Sequence, residues 1–147
     1  MGSKLILLIF FEKMIEKIHK TDEECKKILT PEQFRVMRAH GTEAPFSCQW
    51  GKSGEGEYHC AACDLPLFKA EAKFKSGTGW PSYYEPVAKD HLEYIEDSSH
   101  GMRRTEVRCA RCDSHLGHVF DDGLLLTGKR YCINSVALKF FPKKDEK

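Results

Sequence analysis

Two short cysteine pairs, Cys60-Ala61-Ala62-Cys63 and Cys109-Ala110-Arg111-Cys112, limit what this chain can fold into more tightly than anything else in it. Two such tight turns can present four thiolates at the corners of a tetrahedron, the geometry of a closed structural zinc site. Each pair follows a short extended run, Glu57-Tyr58-His59 or Glu106-Val107-Arg108, and each is followed by an aspartate, Asp64 or Asp113. The stretch between the pairs is longer than in a compact zinc ribbon, so a metal here would clasp segments distant in sequence. Four unligated thiols, or two redox pairs, are the alternatives. Redox CxxC pairs usually open a helix in an α/β pattern, which is absent here, so one structural zinc per chain is the expectation, held by Cys60, Cys63, Cys109 and Cys112.

At 147 residues the chain can bury a real core as one domain, and a structural metal would supplement it. The boundaries read as an extension over residues 1–20, a domain over 21–142 and a charged tail over 143–147. Formal net charge is +1, with both signs interspersed, so no surface that tracks phosphates is expected and nucleic acid is an unlikely partner. Seven cysteines, most of them in metal-ligand spacing, fit a reducing compartment, which makes the cytoplasm the default. The apolar run Leu5 to Phe11 is too short to span a bilayer and lacks a small-residue cleavage site, so neither a membrane anchor nor a secretory signal is expected. A monomer is the simplest assembly.

Helix comes first and strand afterwards. Thr21 reads as an N-cap followed by acidic residues, leading through Cys25 to Ile28 and Leu29. Thr30 caps a second helix with Pro31 at its first position, which should end near His40-Gly41. Residues 41–56 read as loop or edge structure. Beyond Tyr58 come β-prone runs at Leu65 to Phe68, Leu92 to Glu96, Arg104 to Arg108, His115 to Phe120 and Tyr131 to Phe141, separated by turn signals such as Gly77-Thr78-Gly79. The fold class is mainly antiparallel β with N-terminal helices.

Cys132 is left over by the knuckles. Read with period two, Arg130, Cys132 and Asn134 share one face, and Tyr131, Ile133 and Ser135 the other. A guanidinium on the thiol's face favours thiolate, the nucleophilic form, although a small buried apolar thiol is the bland alternative. Two further segments could build a pocket around it. Trp80 sits on a glycine-defined turn where an indole face can be presented to a ligand. His115 and His118 would not share the face of a regular strand, unless a bulge at Gly117 turns both inward, where their imidazoles could polarise or protonate an oxygen.

These segments together resemble one family. The succession Gly41-Thr42-Glu43, the two cysteine pairs, Ser76-Gly77-Thr78-Gly79-Trp80-Pro81-Ser82, His115 to Gly123 and Gly128 to Ser135 is similar to the B-type peptide methionine sulfoxide reductases, over roughly Thr21 to Pro142. The resemblance implies two antiparallel sheets, the β-tent, and thiol-dependent reduction of the R epimer of methionine sulfoxide, free or in oxidised proteins. It makes Cys132 the nucleophile, which becomes a sulfenic acid as methionine leaves. His115, His118, Asp122 and Asn134 match positions that polarise and orient the oxygen, with His118 the first choice of acid. Arg130 matches the residue that lowers the thiol pKa, and Trp80 the aromatic that packs on the substrate methyl.

One catalytic place departs from the commonest pattern. Many members carry a second cysteine where Thr78 stands here, and it forms the disulfide that thioredoxin reduces. Another thiol, or an external reductant, must therefore resolve the sulfenic acid. Cys48, just after Pro45-Phe46-Ser47 in a loop flanked by glycines, is favoured over Cys25, which lies in a helix; some members place a resolving cysteine just after Pro-Phe. Two other functional classes stand beside this reading. A non-catalytic zinc-knuckle binding module would use Trp80, Tyr83 and Tyr84 as anchors. A zinc hydrolase would need the open coordination position that four cysteines deny.

Overall fold

A computed structural model describes residues 15–47, 54–124 and 126–143. The apolar run 5–11, Cys48 and tail residues 144–147 lie outside them. Among the described residues two helices come first, α1 (Asp22–Ile28) and α2 (Pro31–Met37), and both open on reciprocal capping boxes. Glu24 N–H donates to Thr21 Oγ1 at 3.2 Å while Thr21 N–H donates to Glu24 Oε1 at 3.1 Å, and Thr30 and Gln33 repeat the exchange at 3.1 and 2.9 Å. Each cap contributes about 1 kcal/mol, a large share of what holds a seven-residue helix. The second helix stops earlier than its sequence implies, at Met37. His40 takes the left-handed region (φ 56°) and Gly41 N–H returns to the Arg35 carbonyl at 2.8 Å, which closes the helix end.

Nine strands follow among the described residues: β1 (Gly56–Cys60), β2 (Pro66–Lys69), β3 (Lys73–Phe74), β4 (Ser82–Tyr83), β5 (Leu92–Asp97), β6 (Arg104–Cys109), β7 (His115–Phe120), β8 (Arg130–Ile133) and β9 (Leu138–Pro142). They form two sheets, β2-β1-β9 and β3-β4-β8-β7-β6-β5. Every pairing in both is antiparallel. The mainly β, two-sheet architecture is the expected one.

The sheets meet over a shared aromatic core. Phe68 of the small sheet stacks on Tyr83 of the large one at 4.4 Å between ring centroids, and Tyr58 meets Tyr83 edge-on at 5.5 Å. Tyr83 is fully buried, which removes it as a surface anchor for a binding module. Val36 and Met37 of α2 add to this core with Leu116 and Ile133. Residues 15–20 lie against the second knuckle, with Ile18 N–H donating to the Arg111 carbonyl at 2.7 Å. Among the described residues no helix is long and apolar enough to cross a membrane.

The run from Tyr131 to Phe141, which reads as one strand, is two strands in different sheets. A 3₁₀ turn over Ser135–Ala137 breaks it. Polar side chains make the corner: Asn134 Nδ2 donates to the Leu116 carbonyl at 3.0 Å, and Ser135 Oγ donates to the buried carboxylate of Glu43 at 2.9 and 3.0 Å. A continuous strand would leave those groups inside without partners. Within β8 the alternation holds, with Arg130 and Cys132 half-buried and Tyr131 and Ile133 in the core.

The close approach of β7 to β8 depends on Gly117. A Cβ there would lie 2.0 Å from the Cys132 carbonyl oxygen and 2.9 Å from Ile133 Cα, both backbone atoms that cannot swing aside. Gly117→Ala should therefore force the pair apart and lower stability by at least ~2 kcal/mol, as overpacking does. A guanidinium midpoint equal to that of the native chain would contradict this.

Candidate active site and metal centre

Each knuckle closes in the same way. Cys60 N–H donates to the Leu65 carbonyl (2.8 Å) and Asp64 N–H to the Cys60 carbonyl (2.8 Å); Cys109 N–H donates to Ser114 (2.9 Å) and Asp113 N–H to Cys109 (2.9 Å). Asp64 and Asp113 both take positive φ, 65° and 61°, which aspartate tolerates better than most residues. Because Cys60 ends β1 and Cys109 ends β6, the knuckles bring the two sheets together end to end.

The four sulfurs lie within 4.8 Å of one another, with Cys60 to Cys112 at 3.6 Å and Cys63 to Cys109 at 3.5 Å. A tetrahedral shell with metal–sulfur bonds of about 2.3 Å has sulfur–sulfur edges of about 3.8 Å, so the residues present fit a tetrathiolate metal site. Four packed thiols cannot all ionise alone. Contact with Cys109, then Cys112, holds Cys60 as a thiol, while contacts with Cys109, then Cys60, pull Cys112 down. A divalent cation removes that conflict. Cationic side chains brace the outer shell: Arg38 Nη1 donates to the Cys112 carbonyl at 2.8 Å, and Arg111 Nη1 reaches across to that of Cys63 at 3.2 Å. His40, Glu106 and His115 also gather possible ligand atoms within 4.8 Å. Arg108 already occupies both Glu106 oxygens at 3.0 Å each, so that group is an ion-pair network and not a cation site.

Across the large sheet, Cys132 pairs with Ser82 of β4 on one side and with His118 of β7 on the other. It opens into a cavity of about 190 Å³ lined by Thr78, Trp80, Arg104, His118, Phe120 and Arg130 among others, Asn134 included. The structure thus brings together Cys132, His118, Arg130, Asn134 and Trp80. His115 and Asp122 stand behind this group. His115 is buried beside Glu106, and Asp122, two-thirds exposed, grips the Arg130 guanidinium at 2.8 and 3.2 Å. A larger cavity, about 630 Å³, lies on the outer edge of the small sheet among Glu55, Lys69 and Phe141, away from this chemistry.

A bulge does place both histidines together. Val107 pairs with Gly117 and Arg108 with His115, so Leu116 is the extra residue in β7, one place before the glycine that sequence reasoning chose. The rings meet edge to face at 5.5 Å.

Arg130 acts on Cys132 in the expected direction but does not decide the outcome. Burial pushes the Cys132 thiol up, Arg130 pulls it down, and the charges of Glu43 and Asp122 push it up again, with a net rise. Asp122 neutralises much of the guanidinium that would stabilise the thiolate, and Arg130 also leans on the Phe120 ring at 4.4 Å. The resting thiol is therefore protonated at neutral pH.

Three site residues escape the sequence reading: Glu43, Asp97 and Glu106. Glu43, 2% exposed, connects both walls of the pocket. Its backbone oxygen accepts from Trp80 Nε1 at 3.0 Å, its backbone N–H donates to Asn134 Oδ1 at 3.0 Å, and its carboxylate accepts from Ser135 and the Val136 N–H. An acidic residue in a Gly-Thr-Glu loop carries no periodicity that would reveal this. Thr78 Oγ1 lies 2.8 Å from Ser76 Oγ and accepts from Trp80 N–H at 3.4 Å, so it shapes the tryptophan turn.

The class that fold and site define is a small two-sheet β protein stapled by four thiols, with a fifth thiol at the base of a polar, tryptophan-walled pocket. A family model described as "SelR domain" matches residues 29–142. Relatives named peptide methionine sulfoxide reductase MsrB include one from Pseudomonas fluorescens, 56% identical over 88% of this chain and all of its own length. Another, from Thioalkalivibrio sulfidiphilus, is 58% identical over 82% of the chain and 88% of its own length, and one from Methanosarcina barkeri is 53% identical over 88% and 92%. The chain belongs to the SelR-domain family, that of the B-type peptide methionine sulfoxide reductases.

Since thiolate is the form that reacts, iodoacetamide labelling of Cys132 should climb about tenfold per pH unit up to a midpoint above the ordinary thiol value of 9.0. Arg130→Ala removes a charge that lowers the pKa and should slow labelling at a fixed pH below the midpoint. Glu43→Gln removes one that raises it and should speed labelling. Equal rates for all three proteins would rule out this electrostatic account.

Proposed function

We propose that this chain reduces methionine R-sulfoxide to methionine, with Cys132 as nucleophile. The observation that carries this reading is the meeting of a thiol, an imidazole and an indole in one pocket: Cys132, its cross-strand partner His118, and Trp80. The Cys132 sulfur, as thiolate, attacks the sulfoxide sulfur and takes its oxygen. A proton from His118 meets the charge that develops on that oxygen, and Asn134 and Arg130 orient it. The methionine sulfur is reduced by two electrons, and Cys132 is oxidised to a sulfenic acid. Trp80, fixed through its N–H, offers an apolar face for the methyl group. Asp122 steadies Arg130, and His115 supports His118 from behind.

Cys48 is the proposed resolving thiol. Its sulfur displaces hydroxide from the sulfenic acid, which leaves as water, and the resulting disulfide is reduced by thioredoxin or a similar dithiol. Phe46 N–H donates to the Gly79 carbonyl at 2.6 Å, which sets the described end of this segment beside the Trp80 turn; Cys48 itself lies outside the described residues. Cys25 is buried, which argues against it. A non-catalytic module is disfavoured by the family to which the chain belongs and by the burial of Tyr83.

With both sulfoxide epimers and dithiothreitol, the R form should be consumed and the S form left, and Cys132→Ser should lose turnover while keeping its fold. Without reductant, one equivalent of methionine should appear per enzyme, with a Cys48–Cys132 linkage in the peptide map. Equal consumption of both epimers, or a Cys25–Cys132 linkage, would refute the corresponding part.

The metal for the clasp is proposed to be zinc, bound by Cys60, Cys63, Cys109 and Cys112. When bound it supplies a cross-link between the sheets, and its filled shell leaves no coordination position for catalysis. A reducing cytoplasm, with the chain acting as a monomer, suits this chemistry. Metal analysis should return one zinc per chain. Cys109→Ser should release it and lower thermal stability steeply, by more than the ~1 kcal/mol typical of a point change; an unchanged melting temperature would exclude the clasp.

A further inference from the structure

Two chains of arginine, carboxylate and histidine run side by side across β5, β6 and β7. In one, Arg104 Nη2 donates to Asp97 Oδ2 at 3.3 Å, and His118 Nε2 lies 2.8 Å from the same oxygen. In the other, Arg108 holds Glu106 through both oxygens, and His115 Nδ1 lies 2.7 Å from Glu106 Oε2. Strand register builds both: Asp97 faces Arg104, Arg108 faces His115, and His118 sits between Glu106 and Cys132.

The two chains end differently. His115 is sealed in, and burial pushes its imidazole down despite the opposing pull of Glu106, so it stays neutral. His118 lines the cavity above Cys132. Asp97 is held well below the usual carboxylate range, first by hydrogen bonds from Ser99 and then by His118. An ionised Asp97 has no proton to give, so His118 Nε2 must be the donor in that contact. Nδ1 is then the one ring nitrogen that can take up and release a further proton.

We propose that Asp97 is the positioning residue for His118: it fixes the ring and its Nε2–H tautomer, so that Nδ1 carries the proton passed to the sulfoxide oxygen. This rests on the sulfoxide-reductase reading. The proton that Cys132 loses on forming thiolate is the one His118 takes up, and its transfer to the oxygen completes the sulfenic acid, so no outside acid is needed. The charged and titratable groups around His118 are Asp97 on β5, Arg104 and Glu106 on β6, His115 on its own strand, and Arg130 and Cys132 on β8.

The experiment is ¹⁵N NMR of the histidine side chains in the resting, substrate-free protein, joined to steady-state kinetics across pH. In the native chain His118 should show the Nε2–H tautomer. Asp97→Asn should give mixed tautomers and a kcat at least tenfold lower with KM within about twofold, because the ring is no longer held in its reactive tautomer. Asp97→Glu should recover part of kcat. An Nδ1–H tautomer in the native chain, or an Asp97→Asn protein with native tautomer and kcat, overturns the proposal. The tautomer is read without substrate, so it stands or falls even if the protein fails to reduce sulfoxides; an Asp97→Asn chain that does not fold leaves the native tautomer as the deciding measurement.

Discussion

Four thiols at the ends of β1 and β6 are the constraint on which the rest of this molecule depends. Sheets of three and six strands offer each other a limited apolar face, and β3 and β4 are only two residues long. Such short pairings hold only if something fixes the angle between the sheets. The clasp does so at one end, and the Phe68–Tyr83–Tyr58 stack does so in the middle. The cavity over Cys132 then forms where the large sheet turns away from the small one, at the Asn134 corner. The four-cysteine cluster and the Cys132 pocket share no residue.

At Cys132 two effects compete, and magnitude decides between them. Desolvation penalises the thiolate, and the guanidinium two residues away favours it. Because Asp122 holds Arg130 in a bidentate pair, the cation offers the sulfur only part of its charge, and burial prevails. A protonated resting thiol is less exposed to peroxide than a free thiolate. His118 is its cross-strand partner in the same pocket.

Much of the frame was legible in the sequence, because it rests on local signals. The capping residues Thr21 and Thr30, the cysteine pairs and the alternation of Arg130, Tyr131, Cys132 and Ile133 each declare themselves within a few residues. The sequence reading failed where one residue serves a distant one. The apolar run after Tyr131 gives no sign of changing sheets, because the break is set by Glu43, which lies far upstream. Asp97 looks like any strand-end aspartate until β5, β6 and β7 are set in register. The need to turn two histidines inward predicts a bulge, but its exact site depends on Leu116 filling the core. Composition and period can single out Cys132; only the fold names what surrounds it.

The reach of Glu43 has a consequence for biosynthesis. Its partners Asn134 and Val136 lie 91 and 93 residues downstream. A chain emerging from the ribosome can form local turns and helices early, but it cannot close this corner until the residues through Val136 are outside. Pairings of such long range are slow to form and give no stability while incomplete. Until that segment is made, the pocket over Cys132 lacks the corner that Glu43 shapes through Asn134.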